Sequence, residues 1–201
     1  MNNLDSFASL LCQKAVELGA AKAVTIPASN IVLDERAQLK CFIPICHHYG
    51  SCIMCPPNVM SVSKFREILN CYHVAMMVRS KLPEIKLEST LREAWAVEGQ
   101  PPHVKYLRDH QSRFNDLISE IEILCFTAGY RFAAGLTAGG CILCDECVAI
   151  KSGERCRYPF KARPPIEAVG IDVVATTEKA GMPISFKQDE AKFSTAIILI
   201  D

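Results

Sequence analysis

Three thiols stand at strict three-residue steps in Cys141-Ile-Leu-Cys144-Asp-Glu-Cys147, and a fourth follows at Cys156. Cysteines so closely and evenly spaced can wrap one face of a compact inorganic cube, each thiolate taking one iron. The run is the ferredoxin-type signal for a [4Fe–4S] cluster, whose usual ending is a fourth cysteine three residues on, followed by proline. Here the ending is displaced to Cys156 and Pro159. A second group lies upstream at Cys41, Cys46, Cys52 and Cys55, the last followed by Pro56-Pro57. Its spacing is no standard pattern, but Cys55-Pro56 matches the closing element of a ferredoxin half-site. In two-cluster ferredoxins that closing cysteine ligates the other cluster. Cys55 and Cys156 could therefore exchange partners, and grouping by sequence need not be grouping by metal centre.

Zinc is the plain alternative for the second group. Structural zinc usually takes separated pairs of ligands, whereas three equally spaced cysteines suit a cube better than a tetrahedron. Gly139-Gly140, immediately before Cys141, offers side-chain-free backbone that can approach a cluster. Lys151, Arg155, Arg157, Lys161 and Arg163 could offset the charge of a thiolate-bound cluster, or simply form a solvated basic loop. His47 and His48 lie within the first group and could replace a thiolate, since imidazole is a common metal ligand; the blander reading makes them polar loop residues. Glu167 and Asp172 could do acid–base work, with capping and surface roles the commoner use.

The remaining composition agrees with a metal protein in a reducing compartment. The chain has 201 residues, 22 basic against 22 acidic, which gives no electrostatic case for nucleic acid or an anionic membrane. No apolar stretch is long enough to span a bilayer, and no secretory pattern opens the chain, so a cytoplasmic protein is expected. In such a compartment disulfides are rare and cysteine groups point to metal or redox chemistry. Of the 11 cysteines, Cys12, Cys71 and Cys125 fall outside both groups and read as core residues.

The elements that must position these loops follow from hydrophobic spacing. Leu4 to Leu18 recur at helical intervals until Gly19, and Ala23 to Ile26 reads as a strand. Residues 28–60 show little periodicity and form a long loop that metal ligation would order. A helix is expected over 61–70, with Ser61 or Ser63 as N-cap. Val74 to Val78 is a continuous apolar run, typical of a strand covered on both faces. Helices are predicted over 85–97 and along the face marked by Leu107, Phe114, Leu117, Ile121, Leu124 and Cys125. A strand follows over 131–136, then two short helices before Gly170 and Gly181, and a last strand over 195–200. Alternation of helices and buried strands predicts one α/β metal-binding domain over 1–201, with a mostly parallel sheet flanked by helices and two cysteine-rich loops. A ferredoxin-like α+β sandwich is the alternative.

With the spacing Cys41 to Pro57, the block Gly139-Gly140-Cys141 through Cys156-Arg157 to Pro164, and Glu167 to Val173, the chain resembles a known group. It is similar to the prokaryotic predicted metal-binding proteins of domain-of-unknown-function family 2284. The resemblance implies metal ligation by Cys41, Cys46, Cys55, Cys141, Cys144, Cys147 and Cys156. Cys52 departs from the family pattern, in which an ordinary residue is usual there. If Cys52 is a bystander, the first centre keeps an iron open to substrate.

The leading expectation is an iron–sulfur protein with two [4Fe–4S] clusters on eight thiolates, Cys41, Cys46, Cys52 and Cys55 with Cys141, Cys144, Cys147 and Cys156. It would pass electrons in anaerobic metabolism to a redox partner protein. The alternatives are a reductase or lyase with substrate at an open iron, and a zinc-stabilised adaptor or regulatory module.

Overall fold

The computed structural model describes residues 3–43, 46–83, 102–187 and 190–201. Its first element is helix α1 (Asn3–Glu17), followed by strand β1 (Lys22–Pro27) and a 3-10 turn at Ala28–Asn30. Helix α2 (Glu35–Phe42), helix α3 (Val62–Leu69) and strand β2 (Val74–Lys81) come next. The long helix α4 (Pro102–Thr127) leads to strand β3 (Ala134–Leu136) and the one-turn helix α5 (Val148–Lys151). A 3-10 turn at Glu167–Val169, helix α6 (Val173–Lys179) and strand β4 (Phe193–Leu199) complete the order.

The four strands form one sheet in the order β1-β2-β4-β3, and every pairing is antiparallel. This overturns the expected mostly parallel sheet; the α+β sandwich fits better. The physical reason lies in what the apolar run of β2 reports. Met76 pairs with Ile198 and Met77 with Ile197 at the centre of the sheet. Met76, Val78, Ala196 and Ile198 pack with Leu11, Phe114, Ile118 and Ile121 of α1 and α4 on one face. Ala75, Met77, Ile197 and Leu199 pack on the other face with Phe65 and Leu69 of α3 and with Val169, Ile171 and Met182. Both faces are therefore buried, which removes the in–out alternation of a half-exposed strand. A continuous run records two-sided burial and carries no information on strand direction. Each large side chain so buried, Ile198 for example, contributes about 1.5–3 kcal/mol.

Most other elements stand near their expected places. Ser61 caps α3 by accepting the Lys64 N–H at 3.2 Å, and Asp172 caps α6 by accepting that of Ala175 at 3.0 Å. The predicted strand over 131–136 shortens to Ala134–Leu136, because residues 131–132 form a turn. The helix expected over 85–97 lies outside the described residues. Within 28–60 the expected structureless loop instead contains α2, whose Asp34 N-cap accepts the Arg36 N–H at 2.8 Å. Its face buries no residue fully, so it leaves little periodic signal.

Candidate metal centre

The first cysteine loop hangs from α2, which puts Cys41 in its last turn. That helix is docked by its flanks. Leu33 bridges Ile171, the Asp34 N–H donates to the Gly170 carbonyl at 2.8 Å, and Gln38 Nε2 donates to the Ala168 carbonyl at 2.7 Å. Residues 46–59 then run through successive turns held by their own backbone. Tyr49 N–H donates to the Cys46 carbonyl at 3.1 Å, Gly50 N–H to the Pro56 carbonyl at 2.8 Å, and Cys55 N–H to the Cys52 carbonyl at 3.3 Å. Asn58 Nδ2 also donates to the Cys52 carbonyl, at 3.2 Å. Cys52 and Cys55 are both buried.

The second loop leaves β3 through Thr137 and returns at Pro164-Pro165. Thr137 N–H donates to the Pro164 carbonyl at 3.1 Å, and Ile166 N–H donates back to the Thr137 carbonyl at 2.9 Å, so the loop is closed at its base. Inside it, Cys147 starts α5, and the Tyr158 N–H lies 3.4 Å from Cys156 Sγ. Cys141, Cys144, Cys147 and Cys156 are all half-buried, close to the surface.

The two loops meet at one cavity of about 570 Å³. Its lining contains Cys52 together with Cys141, Cys144, Cys147 and Cys156. Cys52 comes from the first loop, yet it shares this cavity with the four cysteines of the second. The neighbouring Cys55 thiol holds the Cys52 thiol below its ordinary range, with smaller effects from the backbone N–H groups of Cys141, Met54 and Cys55 and against the opposing effect of burial. Cys55 is pushed up, first by the Cys52 side chain beside it and then by burial. Burial raises Cys141 and Cys41 as well; the thiolates of Cys52, Cys156 and Cys144 add to the first, and those of Cys46 and Glu167's carboxylate to the second. Thiols whose ionisation is opposed by neighbouring thiolates, as at Cys41, Cys55 and Cys141, are suited to a cationic centre, which deprotonates its ligands. Among the described residues no three His, Cys, Asp or Glu side chains converge tightly enough for a single ion. A four-iron cluster takes each thiolate at a separate corner, so its ligands stand wider apart than those of one ion.

His48 stands in a turn of the first loop and faces the cavity. Its half-buried ring lines the cavity, and its pKa falls to about 4 through burial, with smaller effects from His47 and Arg108. The ring is therefore neutral at pH 7. It rests on Gly140, where any side chain would collide with it. Gly139 has φ +73°, and Gln111 of α4 donates Nε2 to the carbonyls of Ala138 at 3.1 Å and Gly140 at 2.8 Å. The glycine pair thus answers to His48 and Gln111 first. Gln111, with Arg108 and His110, lines the cavity from α4. Sequence reasoning passed over these three because it followed the apolar face of the helix. The polar residues Arg108, Gln111 and Asn115, spaced at helical intervals beside that face, were the available signal.

Several expected contributors are engaged elsewhere. Lys151 pairs with Glu146, Arg163 with Glu122, and Lys161 with Asp116 at 3.0 Å, while Arg157 lines the cavity. Glu167 is reached by solvent yet surrounded by protein mass, which raises its carboxyl pKa; Lys40 opposes the shift. Asp172 is spent on capping. Of the three cysteines assigned to the core, Cys125 is fully buried, its thiol pushed up to about 12 by burial. Cys12 is half-buried, and Cys71 is exposed, following Asn70 at the end of α3 rather than packing on its inner face.

Among the described residues no helix is long and apolar enough to cross a membrane. No curated protein and no solved structure matches the chain. A family model does match, over residues 24–200, and that span takes in α2, both cysteine loops and the whole sheet from Val24 onward. The chain belongs to the family of predicted metal-binding proteins, DUF2284.

Proposed function

We propose that this metal-binding protein is an iron–sulfur protein holding two [4Fe–4S] clusters and passing single electrons between redox partners. The ligands would be drawn from Cys41, Cys46, Cys52, Cys55, Cys141, Cys144, Cys147 and Cys156. One observation carries the reading: five thiols from two loops remote in sequence line one cavity. Thiolate is the donor that iron–sulfur clusters take, and zinc would use at most four of it at one ion.

Bound there, the clusters would supply reversible one-electron chemistry. The chain's own part is to hold and tune. The neighbouring Cys55 side chain and the surrounding backbone N–H groups favour the Cys52 thiolate, and hydrogen bonds to ligand sulfurs tune a cluster's potential. The neutral His48 ring and the Gly139-Gly140 turn wall the site without adding charge. The thiols of the second loop are half-buried, which supports a centre near enough to the surface to exchange electrons with a partner protein.

An enzymatic reading, reductase or lyase, has one observation in its favour. The cavity continues past the thiols to Leu82, Leu107, His110 and Ser194, and its volume falls in the range of small-molecule sites. Anaerobically purified protein should show broad visible absorbance that bleaches on reduction and returns on oxidation. Substrate-dependent change in that spectrum would favour the enzyme over the carrier. Colourless protein containing zinc would defeat both.

A further inference from the structure

We propose that one end of the sheet carries a binding site for a small monocarboxylate, held by the Arg79 guanidinium and the Thr195 hydroxyl. Among the described residues no cysteine lines this site, and the inference goes beyond the iron–sulfur reading. Its position follows from strand register. Arg79 of β2 pairs with Thr195 of β4. Each stands two residues along its strand from Met77 or Ile197, so both share the sheet face that packs on Met182. There the apolar layer gives way to a polar pair that is nonetheless buried, Arg79 at 8% exposed and Thr195 at 5%.

A guanidinium has five N–H donors and stays protonated in proteins. At Arg79, Nη1 donates to the Pro183 carbonyl at 3.2 Å and Nη2 to the Met182 carbonyl, while the buried Nε has no partner. Cζ also lies 5.7 Å from the centre of the Phe193 ring. Among the described residues no carboxylate pairs with Arg79, and burial pushes its pKa down. Two carbonyls and a ring offset a buried cation only in part, whereas buried charges are ordinarily paired. The Thr195 hydroxyl makes no hydrogen bond within the described residues. A free donor edge and a free hydroxyl therefore stand side by side, and each such group in a folded protein calls for a partner.

Both residues line a cavity of about 220 Å³, walled mainly by Ile184, Phe186, Ala191 and Phe193. Its other cation, Lys192, is turned onto the carbonyls of Ser185 at 3.3 Å and Lys187. Glu190 is held by Lys187 at 3.0 Å and does not line the cavity. One uncompensated positive charge among apolar walls suits a singly charged carboxylate with an apolar body, because a guanidinium matches carboxylate geometry. Phosphate would bring more charge than one arginine offsets. Thr195, Ile184, Phe186 and Phe193 also line a neighbouring cavity of about 520 Å³, which leaves room for that body.

The test is calorimetric titration of the full-length protein with butyrate and benzoate, their amides, and inorganic phosphate. The carboxylates should bind saturably, and the amides, which keep the shape without the charge, should not. Thr195→Val should weaken carboxylate binding about tenfold, as loss of one hydrogen bond to a charged group does. Arg79→Met should abolish it. Arg79→Gln, which keeps a donor for the Met182 and Pro183 carbonyls, should do the same where methionine does not fold. Circular dichroism checks each variant's fold. No saturable binding of either carboxylate, equal binding of acid and amide, preference for phosphate, or unchanged affinity in Thr195→Val overturns the site.

Discussion

The imidazole of His48 lies directly on the α-carbon of Gly140: a methyl group there would stand 2.6 Å from ring atom Cδ2. One loop carries Cys46 and Cys52, the other Cys141, and this contact sets how closely they approach. Gly140→Ala should therefore cost about 1–3 kcal/mol, as overpacking does, and lower the metal content of the purified protein. His48→Ala should relieve most of that cost when combined with it. Thermal unfolding of the two single variants and the double variant measures the coupling; additive effects would mean the ring moves aside freely.

The second loop is anchored to α4 by a buried polar pair. Thr137 Oγ1 donates to Asn115 Oδ1 at 2.5 Å, and both residues are buried. Thr137→Val keeps the shape and removes the donor, leaving the Asn115 oxygen unsatisfied. The expected loss is about 1–3 kcal/mol in denaturant unfolding. Thr137→Ser, which keeps the hydroxyl, should retain most of the stability.

Asp34 gives the support of Cys41 a pH dependence. Its hydrogen bonds from the Arg36 side chain and backbone hold its pKa at about 2, below the ordinary carboxylate value of about 3.9. A depressed folded-state pKa contributes stability that is complete above the unfolded value and lost as pH falls through the folded one. Wild-type protein should thus lose this share between about pH 4 and about pH 2. Asp34→Ala should lower the unfolding midpoint at neutral pH and show a shallower decline over that acid window. Parallel declines for the two proteins would show that the cap adds nothing to stability.

What could be read in advance divides by range along the chain. The spacing of Cys141, Cys144 and Cys147 is local, and so are the caps at Ser61 and Asp172, so single-sequence reasoning reached them. Strand direction in β2 was out of reach, because Met76 and Met77 are both buried under different layers and the apolar run looks the same either way. Helix α2 was missed for the opposite reason: it buries no residue fully, and its position depends on Gln38 reaching Ala168. That Cys52 lines one cavity with Cys141, Cys144, Cys147 and Cys156 was equally hidden, since it depends on how two distant loops meet. His48 is a loop residue whose contact with Gly140 no local pattern announces. Local spacing and caps were legible; the meeting of the two loops was not.

The measurement that bears most directly on the account is iron, acid-labile sulfide and zinc per chain in anaerobically purified protein. Two cubanes predict about eight irons and about eight sulfides per chain, with an EPR signal on reduction. Zinc without sulfide, and no signal on reduction, would contradict the iron–sulfur assignment.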